Sequence, residues 1–303
     1  NDLNALEILQ NAKSGSRYRC VEYGSVLASV LQSYGFLSRG INMTSPKAPY
    51  GPTGSGHFAT EVWSDDLGKW IFLDPQFCIY AKYKGEFLNY YEIAQLEKNG
   101  MYDDIDFIMS EGYLGYKAFG GRQTEAEHVN YYKNYIKNYF GSLMTKVKVN
   151  NKEIQMVLLL KTANQFLTFQ GFPKGNTIFT DKPHEFYFPL NQNSIVFEFT
   201  DPQKHFEKYN ALMKEGVITN SKSQFDNMGL YAATPDLIMH HNHNMPYFSY
   251  YQVYLNDQLV PVNKDGTFNV SLKEGSKIIS SYAINKNGKK GSETQIKIFY
   301  GNQ

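Results

Sequence analysis

Between residues 20 and 34 the apolar side chains fall at 23, 26, 27, 30, 31 and 34, the spacing of one buried helical face, and Gly35 follows where such a helix would stop. Upstream, residues 4–12 group Leu6, Ile8 and Leu9 within about one turn and end at Ser14-Gly15-Ser16, which predicts a short helix. The period then changes. Residues 57–63 and 69–73 alternate and are separated by SDDLG, the pattern of a β-hairpin. Helical spacing returns over 87–98 (FLNYYEIAQLEK) and ends at Asn99-Gly100, whereas the acidic DDIDF at 103–107 fits neither period. Thr124 and Glu127 have capping-box spacing, and Val129, Tyr132, Ile136, Tyr139 and Phe140 share one stripe behind them, predicting a helix over 125–143.

From about residue 145 short alternating runs dominate: KVKV, IQMVLLL, QFLTF, EFYFPL, SIVFEF, FSYYQVYL, TFNVSL, KIISSYAI and TQIKIFY. One helix is predicted among them, near 205–216. NKDG, KEGS and NKNGKKGS separate the last four runs at hairpin-like intervals, the pattern of a β-sandwich. The fold class expected is therefore α+β: a mixed domain over 1–180, followed by a β-rich domain over 181–303. Residues 45–56 (SPKAPYGPTGSG) concentrate Pro, Gly and Ser and read as a loop walling a cleft.

Chemistry enters through three residues. Cys20 opens the best-defined helix, where unpaired N–H groups and the positive end of the macrodipole favour thiolate over thiol. His57 heads the first hairpin strand and Asp74 closes the second. With a two-residue loop at Asp65 and Asp66, paired positions sum to 131 and His57 faces Asp74; with a four-residue loop they sum to 133 and the two are diagonal neighbours on one face. A three-residue loop without a bulge puts them on opposite faces. A nucleophile, a base and an orienting carboxylate are thus within reach of assembly. Against this stands the plain reading in which Cys20 is a small packed hydrophobe and His57 an ordinary strand histidine.

The stretches RCVEYGSVLASVLQSYGFLSRGI and GHFATEVWSDDLGKWIFLDP resemble the transglutaminase-like superfamily of papain-like folds. They show a Cys opening a helix, Gly35-x-x-x-Arg39, a His at a strand head and an Asp before Pro, over about 60 residues. The resemblance implies Cys20 as nucleophile, His57 as general base and acid, Asp74 as orienting carboxylate, and no cofactor or metal. It implies hydrolysis of a peptide or amide bond through a thioester, on a peptide, protein or glycopeptide substrate. The alternatives it leaves are an idle triad in a glycan- or protein-binding module, and a protein-crosslinking transglutaminase. Glu22 after Arg19-Cys20 is reminiscent of the peptide:N-glycanase branch. Ala59 stands where the family often carries an aromatic, beside Phe58, and the second oxyanion donor has only Tyr18 as a candidate. The tail from about 246 is similar to bacterial immunoglobulin-like modules, which implies a spacer or a surface for a partner.

Composition narrows these readings. Lys+Arg 30 against Asp+Glu 29 gives no long-range attraction for a polyanion, so nucleic acid is not expected. No run approaches the ~20 apolar residues of a membrane span. Two cysteines, Cys20 and Cys78, are expected as free thiols, Cys78 as a packing residue near the cleft. Asn1 follows no signal-like segment, which leads us to expect an upstream piece removed and, with the immunoglobulin-like tail, an extracytoplasmic location. His240, His241 and His243 read as a solvated loop, Asp103, Asp104 and Asp106 as surface, and Trp63 and Trp70 as core anchors.

Overall fold

The computed structural model describes residues 3–46, 56–118, 121–122, 124–150, 152–160, 177–188, 191–199, 207, 210–211, 213–216, 237–270 and 275–300. The chain is mixed α+β and divides into two compact units, Asn1–Leu190 and Asn191–Gln303. The cleft-wall loop expected at 45–56 and the run QFLTF lie largely or wholly outside the described residues; of the helix expected near 205–216, residues 207, 210, 211, 213 and 214 are helical, and 205, 206, 208, 209 and 212 lie outside them.

The first unit runs α1 (Ala5–Lys13), α2 (Cys20–Ser33), β1 (Ser38–Thr44), β2 (Gly56–Ser64), β3 (Lys69–Asp74), β4 (Ile79–Tyr83), β5 (Glu86–Phe87), α3 (Tyr90–Lys98), β6 (Asp106–Met109), α4 (Gly115–Ala118), α5 (Glu125–Ile136), β7 (Ser142–Val149), β8 (Lys152–Leu159), β9 (Thr177–Thr180) and α6 (Pro183–Phe186). Its strands form one sheet in the order β5-β4-β3-β2-β1-β7-β8-β9, with β6 on β4. Among the described residues only the β8–β9 pairing of this sheet is parallel. Helix α2 packs across β1 and β2. Thr60 Oγ1 donates to the Gly24 carbonyl at 2.9 Å and Ser38 Oγ to that of Ala28 at 2.8 Å, so the sheet's polar side chains tie the helix down. Asn4, Asn89 and Thr124 cap α1, α3 and α5, each accepting from the Glu three residues on.

Two sequence expectations shift. Helix α5 stops at Ile136 and tightens into a 3-10 turn over Lys137–Tyr139 before β7, short of the predicted 143. Gly141 sets this limit: a Cβ there would come within 2.7 Å of the Thr44 carbonyl, because the chain must pass close against β1 to join the sheet. The described part of the run EFYFPL, residues 185–188, is not a strand. Pro183 at the first helical position starts α6, and Phe186 buries its ring.

That segment is held by a buried ion pair. Arg39 and Glu61, neighbours across β1 and β2, have side chains 2% and 0% exposed, and the guanidinium donates to Glu61 Oε2 at 2.8 and 3.1 Å. Glu61 Oε1 accepts from the Tyr90 N–H and the Tyr187 hydroxyl, and Arg39 also donates to the Phe186 carbonyl at 2.8 Å. Its guanidinium lies 4.2 Å from the Trp70 ring centroid and 4.6 Å from that of Phe186. Trp70 itself donates to the Phe188 carbonyl at 3.0 Å, as befits the expected core anchor.

The second unit contains β10 (Asn193–Phe199), β11 (Leu237–His243), β12 (Phe248–Leu255), β13 (Gln258–Val260), β14 (Thr267–Val270), β15 (Gly275–Asn285) and β16 (Thr294–Tyr300). They form two antiparallel sheets, β10-β11-β14 and β13-β12-β15-β16. Leu237, Met239 and Val270 of one sheet share a core with Val253 and Ile279 of the other. The last runs are not consecutive hairpins, since β14 joins the other sheet and β12 pairs with β15. A short strand, β13, follows a two-residue turn in which Asn256 and Asp257 both take positive φ.

His240, His241 and His243 lie on β11 rather than in a solvated loop. His241 and His243 face inward with Leu237 and Met239, and burial lowers both imidazoles below their usual range. His243 stacks on Phe248 at 3.9 Å.

Candidate active site

The β2–β3 register pairs Thr60 with Leu73 and Trp63 with Trp70, a sum of 133, so the hairpin uses the four-residue turn and His57 and Asp74 share a face as diagonal neighbours. Nε2 of His57 sits 2.7 Å from Asp74 Oδ2, both side chains having no exposed surface.

Asp74 is held from two further directions. Its Oδ1 accepts the N–H groups of Gln76 and Phe77 at 3.1 and 3.3 Å, an Asx-type turn built by Pro75, and Oδ2 also accepts the Tyr132 hydroxyl at 3.0 Å. Four donors on two oxygens fix the carboxylate. Asp74 in turn is one cause, after burial, of the raised Tyr132 pKa.

With Nε2 committed to Asp74, Nδ1 is the ring nitrogen left for other partners. The Tyr135 hydroxyl lies 3.3 Å from it, and Cys20 and the ring shift each other's titration. Burial alone would lower the His57 pKa, but the charge and hydrogen bond of Asp74, with Cys20 adding to them, raise it from 6.5 to about 9. Burial alone would raise the Cys20 thiol. The hydrogen bond and charge of His57, with the backbone N–H groups of Phe58 and Val21, outweigh it and bring Cys20 below its ordinary value. Both shifts move the pair towards the thiolate–imidazolium form.

The local sequence explains this placement. Cys20 starts α2, and Glu22 reaches back to accept the Arg19 N–H at 2.9 Å, half of a capping box. The Phe58 ring lies between α2 and β1, against Gly24 and Gly40, where a Cβ at either position would overlap it. The Phe58 N–H is one of the groups that lower the Cys20 thiol. Ala59 is fully buried, and the aromatic surface near His57 comes from Phe77, Tyr135 and Tyr139, with ring centroids 5.2 to 5.8 Å away. Cys20 and His57 line a cavity of about 640 Å³ whose other walls include Asn42 of β1, Met144 and Thr145 of β7 and Gln155 of β8.

Tyr132, Tyr135, Phe58 and Phe77 complete the site and were not assigned from sequence. The α5 stripe marked Tyr132 as inward but gave no partner for it. Tyr18 lines two other cavities rather than the cleft. Cys78 is a free thiol in the turn after Asp74, at φ 52°, and burial and then the Asp74 charge raise its pKa, leaving it an inert neighbour. Among the described residues no three His, Cys, Asp or Glu side chains converge as a metal site, and no helix is long and apolar enough to cross a membrane. Asp103, Asp104 and Asp106 are exposed. No protein-family model and no curated protein matches the chain.

Proposed function

We propose that this chain is a thiol-dependent acyl-transfer enzyme with a transglutaminase-like, papain-like core, hydrolysing a peptide or amide bond. The observation that carries the reading is His57, held by Asp74 at 2.7 Å, lining one cavity together with Cys20, with the thiol lowered and the imidazole raised.

In this mechanism the Cys20 thiolate attacks the substrate carbonyl carbon, forming a C–S bond, and the carbonyl oxygen takes the negative charge. Backbone N–H groups at the start of α2 are the donors suited to it. Collapse breaks the C–N bond, and the imidazolium of His57 gives its proton to the leaving amine. The neutral imidazole then takes a proton from water as it attacks the thioester, which releases the acid and restores the thiolate. Asp74 touches no substrate atom; it holds the ring and supports its charge.

The second unit, on the same reading, is an immunoglobulin-like β-sandwich serving as a spacer or a surface for a partner, supported by its two antiparallel sheets sharing one core.

The test is a peptide-library digest with and without an added primary amine, run with Cys20→Ala beside the parent. Release of free acid that disappears in Cys20→Ala is expected. Activity that survives Cys20→Ala, or a Cys20 thiol that alkylates no faster than a free model thiol in mild acid, refutes the assignment. Amine incorporation in place of acid release identifies a transferase.

A further inference from the structure

Behind the turn that holds Asp74 lies a second cavity, of about 260 Å³, that shares no lining residue with the cleft over Cys20. Phe77 and His128 line it, their ring centroids 5.9 Å apart, with His128 Nε2 2.9 Å from the Phe77 carbonyl oxygen. Tyr23, Tyr113 and Tyr131 add further aromatic wall.

One charged group enters this aromatic enclosure. The Arg122 guanidinium lies 4.2 Å from the Tyr131 ring centroid, and its Nε is buried without a hydrogen-bond partner among the described residues. Among the described residues no Asp or Glu lines the cavity. A guanidinium cannot lose its charge at physiological pH, and stacking on Tyr131 satisfies the face of its plane, not the N–H fork at its edge. The contrast with Arg39 is instructive: there a carboxylate, a carbonyl and three rings surround the group on every side.

We propose that this cavity binds a small aromatic carboxylate, the carboxylate pairing with Arg122 and the planar body lying among Phe77, Tyr113 and Tyr131. The chemistry of each part follows from the walls. Fork geometry selects a carboxylate, and a wall built of aromatic rings favours a flat apolar body over an aliphatic chain. The volume suits a ligand of about ten heavy atoms, below the drug-sized range.

Benzoate and benzamide are the probes, matched in shape and different in charge. Titrated into the full chain and followed by NMR of the aromatic region or by calorimetry, benzoate is expected to saturate with a millimolar Kd, as so small a ligand allows, and benzamide to bind about tenfold or more weakly. Arg122→Gln should abolish the difference between the two, while Arg17→Gln, an exposed arginine outside the cavity, should preserve it. Equal binding of both probes, retention of benzoate affinity in Arg122→Gln, or no saturable response up to about 50 mM would each overturn the proposal. Since Arg122 is partly exposed and makes no ion pair among the described residues, loss of binding in Arg122→Gln with an unchanged thermal melt separates a lost ligand contact from a lost fold.

Discussion

Asp74→Asn is the sharpest perturbation of the candidate site, because it keeps the shape and removes one charge. The carboxylate accepts four donors on two oxygens, from His57, Tyr132, Gln76 and Phe77. An amide offers one oxygen, so either orientation sets its NH₂ against two of those donors. The ring can relieve the clash only by moving its proton to Nδ1, the nitrogen needed to take the proton of Cys20. The rise of His57 from 6.5 to about 9 corresponds to about 3 kcal/mol of preference for the imidazolium. With the Asp74 charge gone, His57 loses the main cause that raises it and burial pulls it back down, so the imidazolium share at neutral pH falls. The Cys20 thiolate then loses its main support. The assay is the pH dependence of iodoacetamide alkylation in a Cys78→Ser background, which leaves Cys20 as the single thiol. Asp74→Asn should alkylate about tenfold or more slowly near pH 6, its profile moved up by about a unit or more, and any turnover should fall by about 10² to 10⁴. Superimposable profiles in parent and variant would show that Asp74 does not tune this pair.

Three other outcomes follow from the geometry. Glu61→Ala leaves Arg39 buried without its carboxylate and should cost about 3–5 kcal/mol by urea denaturation, whereas the double change Arg39→Met with Glu61→Leu should recover much of it. Gly40→Ala sets a methyl into the Phe58 ring and should cost about 1–3 kcal/mol while slowing Cys20 alkylation, because the Phe58 N–H moves off the sulfur. His241 and His243 have folded pKa values below 6.5, so the unfolded chain takes up protons first, and the second unit should lose stability as pH falls through 6.5. Faster hydrogen exchange over 237–243 at about pH 5 than at neutral pH is the readout.

How much of this could be read beforehand varies by residue. The hairpin limited His57 and Asp74 to two same-face arrangements, but SDDLG did not declare its turn length, and that choice was made by the Trp63–Trp70 pairing. Tyr132 and Tyr135 reach the site from 58 and 78 residues away in sequence, and no local pattern encodes such a meeting. The helix over 125–143 was read too long because Tyr139 and Phe140 keep its phase; the close pass of Gly141 against β1 is a tertiary demand. HHNH was misread for the opposite reason. Leu237, Met239, His241 and His243 alternate as a strand should, but two inward polar residues broke the hydrophobic code that would have announced it.

The Arg39 cluster has a bearing on how the first unit assembles. Its hydrogen bond to the Phe186 carbonyl spans 147 positions, and that of Trp70 to Phe188 spans 118, so a guanidinium near the N-terminus waits for a segment made much later. Contacts of such separation slow folding, because the loop they close must form before they contribute. During synthesis β1 and β2 emerge long before residues 186–188, with Arg39 and Glu61 already in register and the aromatic lid over them still missing. The last turn of the unit thus acts as a clasp, and a chain shortened to residue 180 would leave the cation it closes over half-covered.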